Sequence, residues 1–260
     1  MSDQPTQKTR YLAKKHQYDN MITLYGRNPV LEILQLPEVE IHKLHLATSN
    51  KSGGIVDQIT GLAKSRNIEI QHHARQALSR ISKNARQDQG VAIDLIAPGY
   101  QSLDELPDEA IKGDVELLLL DRITNPQNLG MIIRSVAASP IHGMILPKLG
   151  CARIDPLVFK ASAGNLFKAT IYHCLDIDSA LAELKRRKLA IYGLDASASR
   201  TLSSMDDAHA CVWVLGNESD GLSTEVLRAC DELVSIPLSN QVESLNVSAV
   251  ATLVAFRSLL

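Results

Sequence analysis

The sequence predicts an α/β protein of two modules in series, a compact unit over residues 23–97 and a larger parallel-sheet unit over 115–260. Three observations carry this. Strand-like and helix-like periodicities alternate along nearly the whole chain. The second half contains continuous apolar runs, Leu117–Leu120 (LLLL) and Cys211–Leu215 (CVWVL), of the kind found in strands buried on both faces. Between the halves, residues 98–114 are polar, acidic and marked by prolines, which reads as a linker.

Taken in order, residues 1–22 show neither period and read as a flexible basic tail. Arg27–Leu36 has helical spacing and stops at Pro37, and Ile41–Ala47 alternates as a strand. An amphipathic helix at Ile55–Arg66 is followed by short strands at Ile68–Gln71 and Gly90–Ile96. Beyond the linker, strands are expected at Glu116–Asp121, Gly143–Leu146, Leu189–Leu194, Cys211–Leu215 and Leu233–Pro237. Helices are expected at Asn128–Ser139, Pro156–Ala163, Asp176–Lys188, Ser223–Cys230 and Leu245–Leu260.

Composition narrows the function classes. A mean hydropathy of −0.03 and the lack of any apolar run near the roughly 20 residues of a membrane span predict a soluble, cytoplasmic protein. Four scattered cysteines without a C-x-x-C pair suit free thiols rather than disulfides or zinc, and no cluster has metal-ligand spacing, so no metal is expected. Residues 1–100 hold 13 Lys and Arg against 9 Asp and Glu, a balance of +4, whereas residues 101–260 hold 14 against 20, a balance of −6. The basic excess gathers at Lys8–Lys15 and Lys64–Arg86, and a basic module ahead of an acidic one points to a polyanionic partner held by the first.

The chain contains no G-x-G, no phosphate-binding G-x-x-x-x-G-K, no G-x-S-x-G and no H-E-x-x-H. Three polar segments follow predicted strands instead, where α/β proteins gather ligands. The first, LDRITNPQNLGMIIRS, places a turn at Asn125–Pro126, a helix cap at Asn128, and Arg134 about 9 Å and roughly 240° further round the helix, too far round to share one task with Asn128. The second, LGNESDGL, has Gly216, which permits close approach of a ligand, and Glu218 as an acceptor. The third runs from Val234 through Ser239, Asn240, Gln241, Glu243, Ser244 and Asn246, neutral groups suited to a nucleoside, with Ser244 or Asn246 as the cap of the last helix. Singly, each has an ordinary reading as a cap, a surface ion pair or a solvated carboxylate.

The combination N-P-x-N-x-G-x-x-x-R, L-G-N-E-x-x-G-L and I-P-L…S-L-N-V-S resembles the three motifs of the SpoU/TrmH family in the SPOUT superfamily, the RNA ribose 2′-O-methyltransferases, over Val115–Leu260. The first module, opening LYGRNPVLEIL, is similar to the ribosomal-protein-like substrate-binding domain of members acting on rRNA. The closest likeness within the family is to the RlmB-type 23S rRNA (guanosine-2′-O)-methyltransferases. The resemblance implies a trefoil-knotted C-terminal domain and a homodimer with the active site near the dimer interface. It implies S-adenosyl-L-methionine held mainly by backbone groups at Gly216, Ile236 and Leu245, with Leu194, Asp195, Ala196 and Leu215 as further walls and Asn246 nearby. It also implies functional roles for Asn128, Arg134, Glu218, Ser244 and Asn246, with RNA, 23S rRNA in the first place, as partner. A tRNA ribose methyltransferase and a non-catalytic RNA-binding member are the alternatives. Two positions depart from the family pattern: Asn125 stands where aspartate is usual, and Pro140 where a glycine commonly ends the helix.

Overall fold

The computed structural model describes residues 20–51, 53–97, 99–205 and 210–259, so the expected basic tail, Lys8–Lys15 included, lies outside the described residues except at its end. The chain divides into two compact units, up to residue 98 and from residue 99.

Among the described residues, the first unit is a four-stranded mixed sheet with three helices. Its strands are β1 (Met21–Tyr25), β2 (Glu40–Ala47), β3 (Glu69–His73) and β4 (Val91–Ile96), in the order β1-β4-β2-β3. β4 runs antiparallel to β1 and β2, and β3 parallel to β2. The helices are α1 (Arg27–Leu34), α2 (Ile55–Ser65) and α3 (Arg75–Ser82). β1 corrects the expected tail: Met21 and Ile22 pair with Ile96 and Leu95, and Ile22 and Leu24 enter the core. A five-residue strand flanked by polar sequence carries too few periods to declare itself. Arg66, counted among the basic excess, is structural. Its guanidinium donates to the carbonyls of Leu34, Leu36 and Val39 at 2.6–3.1 Å and closes the turn between α1 and β2.

The second unit holds eight strands: β5 (Tyr100–Ser102), β6 (Glu116–Leu120), β7 (Gly143–Pro147), β8 (Ile171–Cys174), β9 (Ala190–Leu194), β10 (Arg200–Thr201), β11 (Cys211–Leu215) and β12 (Glu232–Ser235). They form one sheet in the order β10-β12-β9-β11-β6-β7-β8-β5, and every pairing is parallel. The two apolar runs, β6 and β11, lie side by side at its centre, and all five residues of β11 are buried. The helices are α4 (Asp108–Lys112), α5 (Pro126–Ala138), α6 (Pro156–Ala161), α7 (Ile177–Arg186), α8 (Thr224–Ala229) and α9 (Val247–Ala255).

The segment expected as a linker is instead built into this unit. β5 pairs with β8, and Leu103 and Leu106 are each 3% exposed within the core. Arg187 fixes the segment by donating to the carbonyls of Leu106 and Asp104 at 2.7 and 2.9 Å. Two leucines three apart are enough to dock it, although the surrounding residues are polar. Strands β5, β8 and β10 have three, four and two residues and sit towards the sheet edges, which is why periodicity did not reveal them. Among the described residues no helix is long and apolar enough to cross a membrane.

Candidate active site

The C-terminal ends of β9, β11 and β12 and the loops that follow enclose a cavity of about 310 Å³. Apolar side chains of Leu194, Leu215, Val234, Ile236, Leu238, Leu245, Val247 and Val250 make most of its wall, with Asp195, Asn217, Glu218 and Ser244 as polar members. Of the residues expected around a cofactor, Leu194, Asp195, Ala196, Leu215, Gly216, Ile236 and Leu245 line this space, and Asn246 does not. Among the expected functional residues, Glu218 and Ser244 line it, while Asn128, Arg134 and Asn246 lie outside.

Asn128 and Asn246 are nevertheless tied to the wall. Asn128 is 6% exposed on α5, and its side-chain N–H donates to Glu218 Oε1. Its Oδ1 accepts from Asn246 Nδ2 at 3.1 Å, and Asn246 Oδ1 accepts from the backbone N–H and hydroxyl of Ser248 at 2.9 and 2.6 Å. One relay therefore joins all three motif segments, and each amide is oriented by its neighbours, donor towards carboxylate and acceptor towards amide. Glu218 is thus an acceptor for Asn128.

Two cap assignments follow. Asn125, not Asn128, caps α5: its Oδ1 accepts from the N–H groups of Gln127 and Asn128 at 2.8 and 3.4 Å, with Pro126 in the first helical position. A neutral amide serves this purpose as well as the usual aspartate, so the departure at Asn125 leaves the turn intact. Asn246, not Ser244, caps α9, which begins at Val247 and ends at Ala255, ahead of a short 3₁₀ turn at Arg257–Leu259. At the other end of α5 the helix stops at Ala138, and Ser139 before Pro140 is extended, as a residue preceding proline should be.

Sequence reasoning missed the groups that hold the second motif in place. Asp121, fully buried, accepts the N–H of Ser223 at 2.6 Å and the Nε–H of Arg122 at 3.2 Å. Arg122 donates to the Gly221 carbonyl at 2.9 Å, and its own carbonyl accepts from Asn217 Nδ2 at 2.9 Å. Arg122 has a φ of +59°, an uncommon left-handed backbone for a long side chain, held by these contacts. The loop folds back through paired N–H···O bonds between Asn217 and Gly221 at 2.9 and 3.0 Å. A Cβ on Gly216 would collide with the Gly221 backbone, so its small size is demanded first by the returning loop and not only by a ligand. The D-R pair after β6 was visible in sequence, but nothing in its spacing linked it to residues about a hundred positions away.

Arg134 stands apart. It is exposed on α5 and has no side-chain partner among the described residues, so its ordinary reading as a member of a surface ion pair finds no partner there. Its separation from the buried Asn128 agrees with the rotation along the helix.

Residues 116–256 match the SpoU rRNA Methylase family, and residues 23–101 match the RNA 2′-O ribose methyltransferase substrate binding family. The chain belongs to the SpoU rRNA methylase family. It is an RNA 2′-O-ribose methyltransferase of that family, with a substrate-binding module ahead of the methylase domain. A relative from Mycobacterium avium, described as an uncharacterized tRNA/rRNA methyltransferase, is 34% identical over 89% of this chain and 75% of its own length. One from Mycolicibacterium paratuberculosis with the same description is 35% identical over 89% and 75%. In fold, the chain is similar to the SpoU methyltransferase AviRb of Streptomyces viridochromogenes in complex with AdoMet, with a TM-score of 0.63, 22% identity and coverage of 98% and 93% of the two chains. It is also similar to an AdoMet-bound rRNA methyltransferase of Sinorhizobium meliloti, with a TM-score of 0.61, 21% identity and coverage of 95% and 91%.

Proposed function

We propose that this chain transfers the methyl group of S-adenosyl-L-methionine to the ribose 2′-hydroxyl of a guanosine in 23S rRNA, working as a homodimer of RlmB type. The observation that carries the site assignment is the Glu218–Asn128–Asn246 relay bound to the wall of an otherwise apolar cavity. The cavity fits the donor on its own chemistry: apolar walls suit an adenine and a thioether chain, and the carboxylates of Asp195 and Glu218 suit a molecule with a cationic sulfonium. When bound, S-adenosylmethionine supplies a methyl group that is already electrophilic.

The chain's own residues then have positional tasks. The relay holds Glu218 and the start of α9 in fixed orientation, and Ser244 offers a hydroxyl on the cavity wall. Arg134 is the expected anchor for an RNA phosphate and stabiliser of the developing alkoxide, with the proton leaving through phosphate or water, because a guanidinium stays protonated and is no base. A homodimer suits its position outside the cavity, since a second copy over the exposed side of α5 would bring Arg134 and Met131 to a shared site. Arg134→Lys keeps charge and loses the bidentate fork, and turnover should fall about tenfold. Turnover equal to wild type would remove the fork from the mechanism.

Three loops from neighbouring strands around one cavity suit the trefoil threading implied by the resemblance. The separate substrate module supports rRNA over tRNA. The structure described for 2-OH methylation of C/U34 on tRNA covers 56% of this chain, against 95% for the Sinorhizobium meliloti rRNA methyltransferase. The test is transfer of labelled methyl from S-adenosylmethionine to total RNA of cells lacking this protein, followed by mapping of 2′-O-methyl sites. Label at one guanosine of 23S rRNA is expected. Label in tRNA would overturn the substrate, and neither label nor donor binding would leave only an RNA-binding role.

A further inference from the structure

We propose that the open cavity of about 840 Å³ in the first unit is a seat for RNA backbone phosphates. This rests on the reading of the chain as an enzyme acting on RNA, and goes beyond it by naming where in the substrate module the polyanion is held. The cavity is lined by Arg27, Asn28, Ser49, Asn50, Arg75 and Gln89, together with Ile55, and no carboxylate is among them.

The two arginines are presented differently. Arg27 is oriented by donating Nε–H to the Gln89 carbonyl at 3.2 Å, and neither of its Nη groups has a partner among the described residues. Arg75 is locked by Asp88, whose Oδ1 lies 2.8 Å from Nη2. Asp88 is fully buried and also accepts from Ser79, Ser82 and the Gly90 N–H, so its charge is enclosed below the cavity and not offered to a ligand. Gly90, at a φ of +78°, is covered by Asn50 and by Arg75 Nη1, and a side chain there would displace both.

The backbone adds to this charge. Arg27, Ile55 and Arg75 are the first residues of α1, α2 and α3, helices of 8, 11 and 8 residues, and no cap residue shields any of the three with a side-chain hydrogen bond. The Arg27 N–H is taken by Gln89 Oε1 at 3.1 Å, Pro29 has no N–H and the Ala77 N–H goes to the Ala74 carbonyl, so the backbone adds the N–H of Asn28 in α1 and those of Arg75 and Gln76 in α3 to the guanidinium groups. Forked cations with neutral amide and hydroxyl neighbours match the oxygens of a phosphodiester, and the open form admits a polymer passing through.

The experiment is a salt titration of binding by the full-length protein to a 23S rRNA transcript, comparing wild type with Arg27→Gln, Asn28→Asp and Lys64→Gln. Lys64 lies about 14 Å along α2 from Ile55, so its replacement removes equal charge away from the cavity. Arg27→Gln and Asn28→Asp should each weaken binding about tenfold near 0.1 M salt, and the slope of log affinity against log salt should drop by about one for Arg27→Gln. Lys64→Gln should leave both values as in wild type, and none of the three should alter S-adenosylmethionine binding. Asn28→Asp guards against misfolding as the cause, because a carboxylate in the first turn of α1 should hold or raise the melting temperature while RNA affinity falls. Equal losses in all three variants, or no loss in the two cavity variants, would overturn the seat. Failure of wild type to methylate RNA while these differences persist would refute the enzymatic reading alone.

Discussion

In the first unit the cations on the open cavity are oriented but still have donors to give, whereas around the cavity of the second unit Glu218, Asn128 and Asn246 are paired with one another before a ligand arrives. The first arrangement gains from charge, tolerates small displacements and weakens with salt. The second depends on placement to a fraction of an ångström and feels salt little. A polymer that must be found and held, and a methyl group that must be aligned, ask for these two designs respectively. The contrast can be broken at named residues.

The largest effect is expected from Asn128→Ala. It removes the link between Glu218 and Asn246 in a buried position, so methyl transfer should drop about 100-fold and stability by about 1–3 kcal/mol. The salt slope of RNA binding should stay unchanged, checked by steady-state transfer and salt titration on one preparation. A changed slope would erase the division of labour between the units.

Arg122→Ala should act more mildly, through the loop that carries Glu218. Loss of the bonds to Asp121 and Gly221 should raise KM for S-adenosylmethionine about tenfold and leave kcat within about threefold, with no rescue by Arg122→Lys because the fork is lost. A fall in kcat at constant KM would assign Arg122 to chemistry instead of positioning.

The smallest effect concerns α7. A hydrogen bond from Arg186, with a further one from Arg187, holds the Glu183 carboxyl well below its ordinary 4.5, at about 2. A carboxyl depressed on folding contributes stability that is fully present above its unfolded value and is lost as pH falls through the folded one. Thermal melts of wild type and Glu183→Gln should therefore differ at pH 7 and converge between about pH 4.5 and 2. Parallel curves across that window would discard the coupling.

Long periodic segments were legible from sequence because their pattern is set by burial: β6, β11, α2 and α5 are found within a few residues of expectation. Residues at the cavity wall were legible through the motif segments, since strand ends and loop starts lie close in sequence. What stayed hidden depends on partners distant in the chain. Glu218 and Asn128 are 90 positions apart, and the Asp121–Ser223 bond spans 102. The seat at Arg27 and Arg75 hid for the same reason, because three helix starts spread over about fifty residues converge only once the sheet is formed. Charge counting marked the basic stretch but could not tell Arg66, spent on carbonyls, from Arg75, which faces a cavity.

The docked segment around β5 also decides where this chain can be divided. A methylase piece starting at residue 115 would lack β5, leaving β8 as an open strand edge, and would uncover the apolar surface that Leu103 and Leu106 seal. It would also strip Arg187 of the carbonyls of Asp104 and Leu106. Domain exchange between relatives, whether in the laboratory or by recombination, should succeed with a junction next to residue 98 and yield aggregating protein with one next to residue 115.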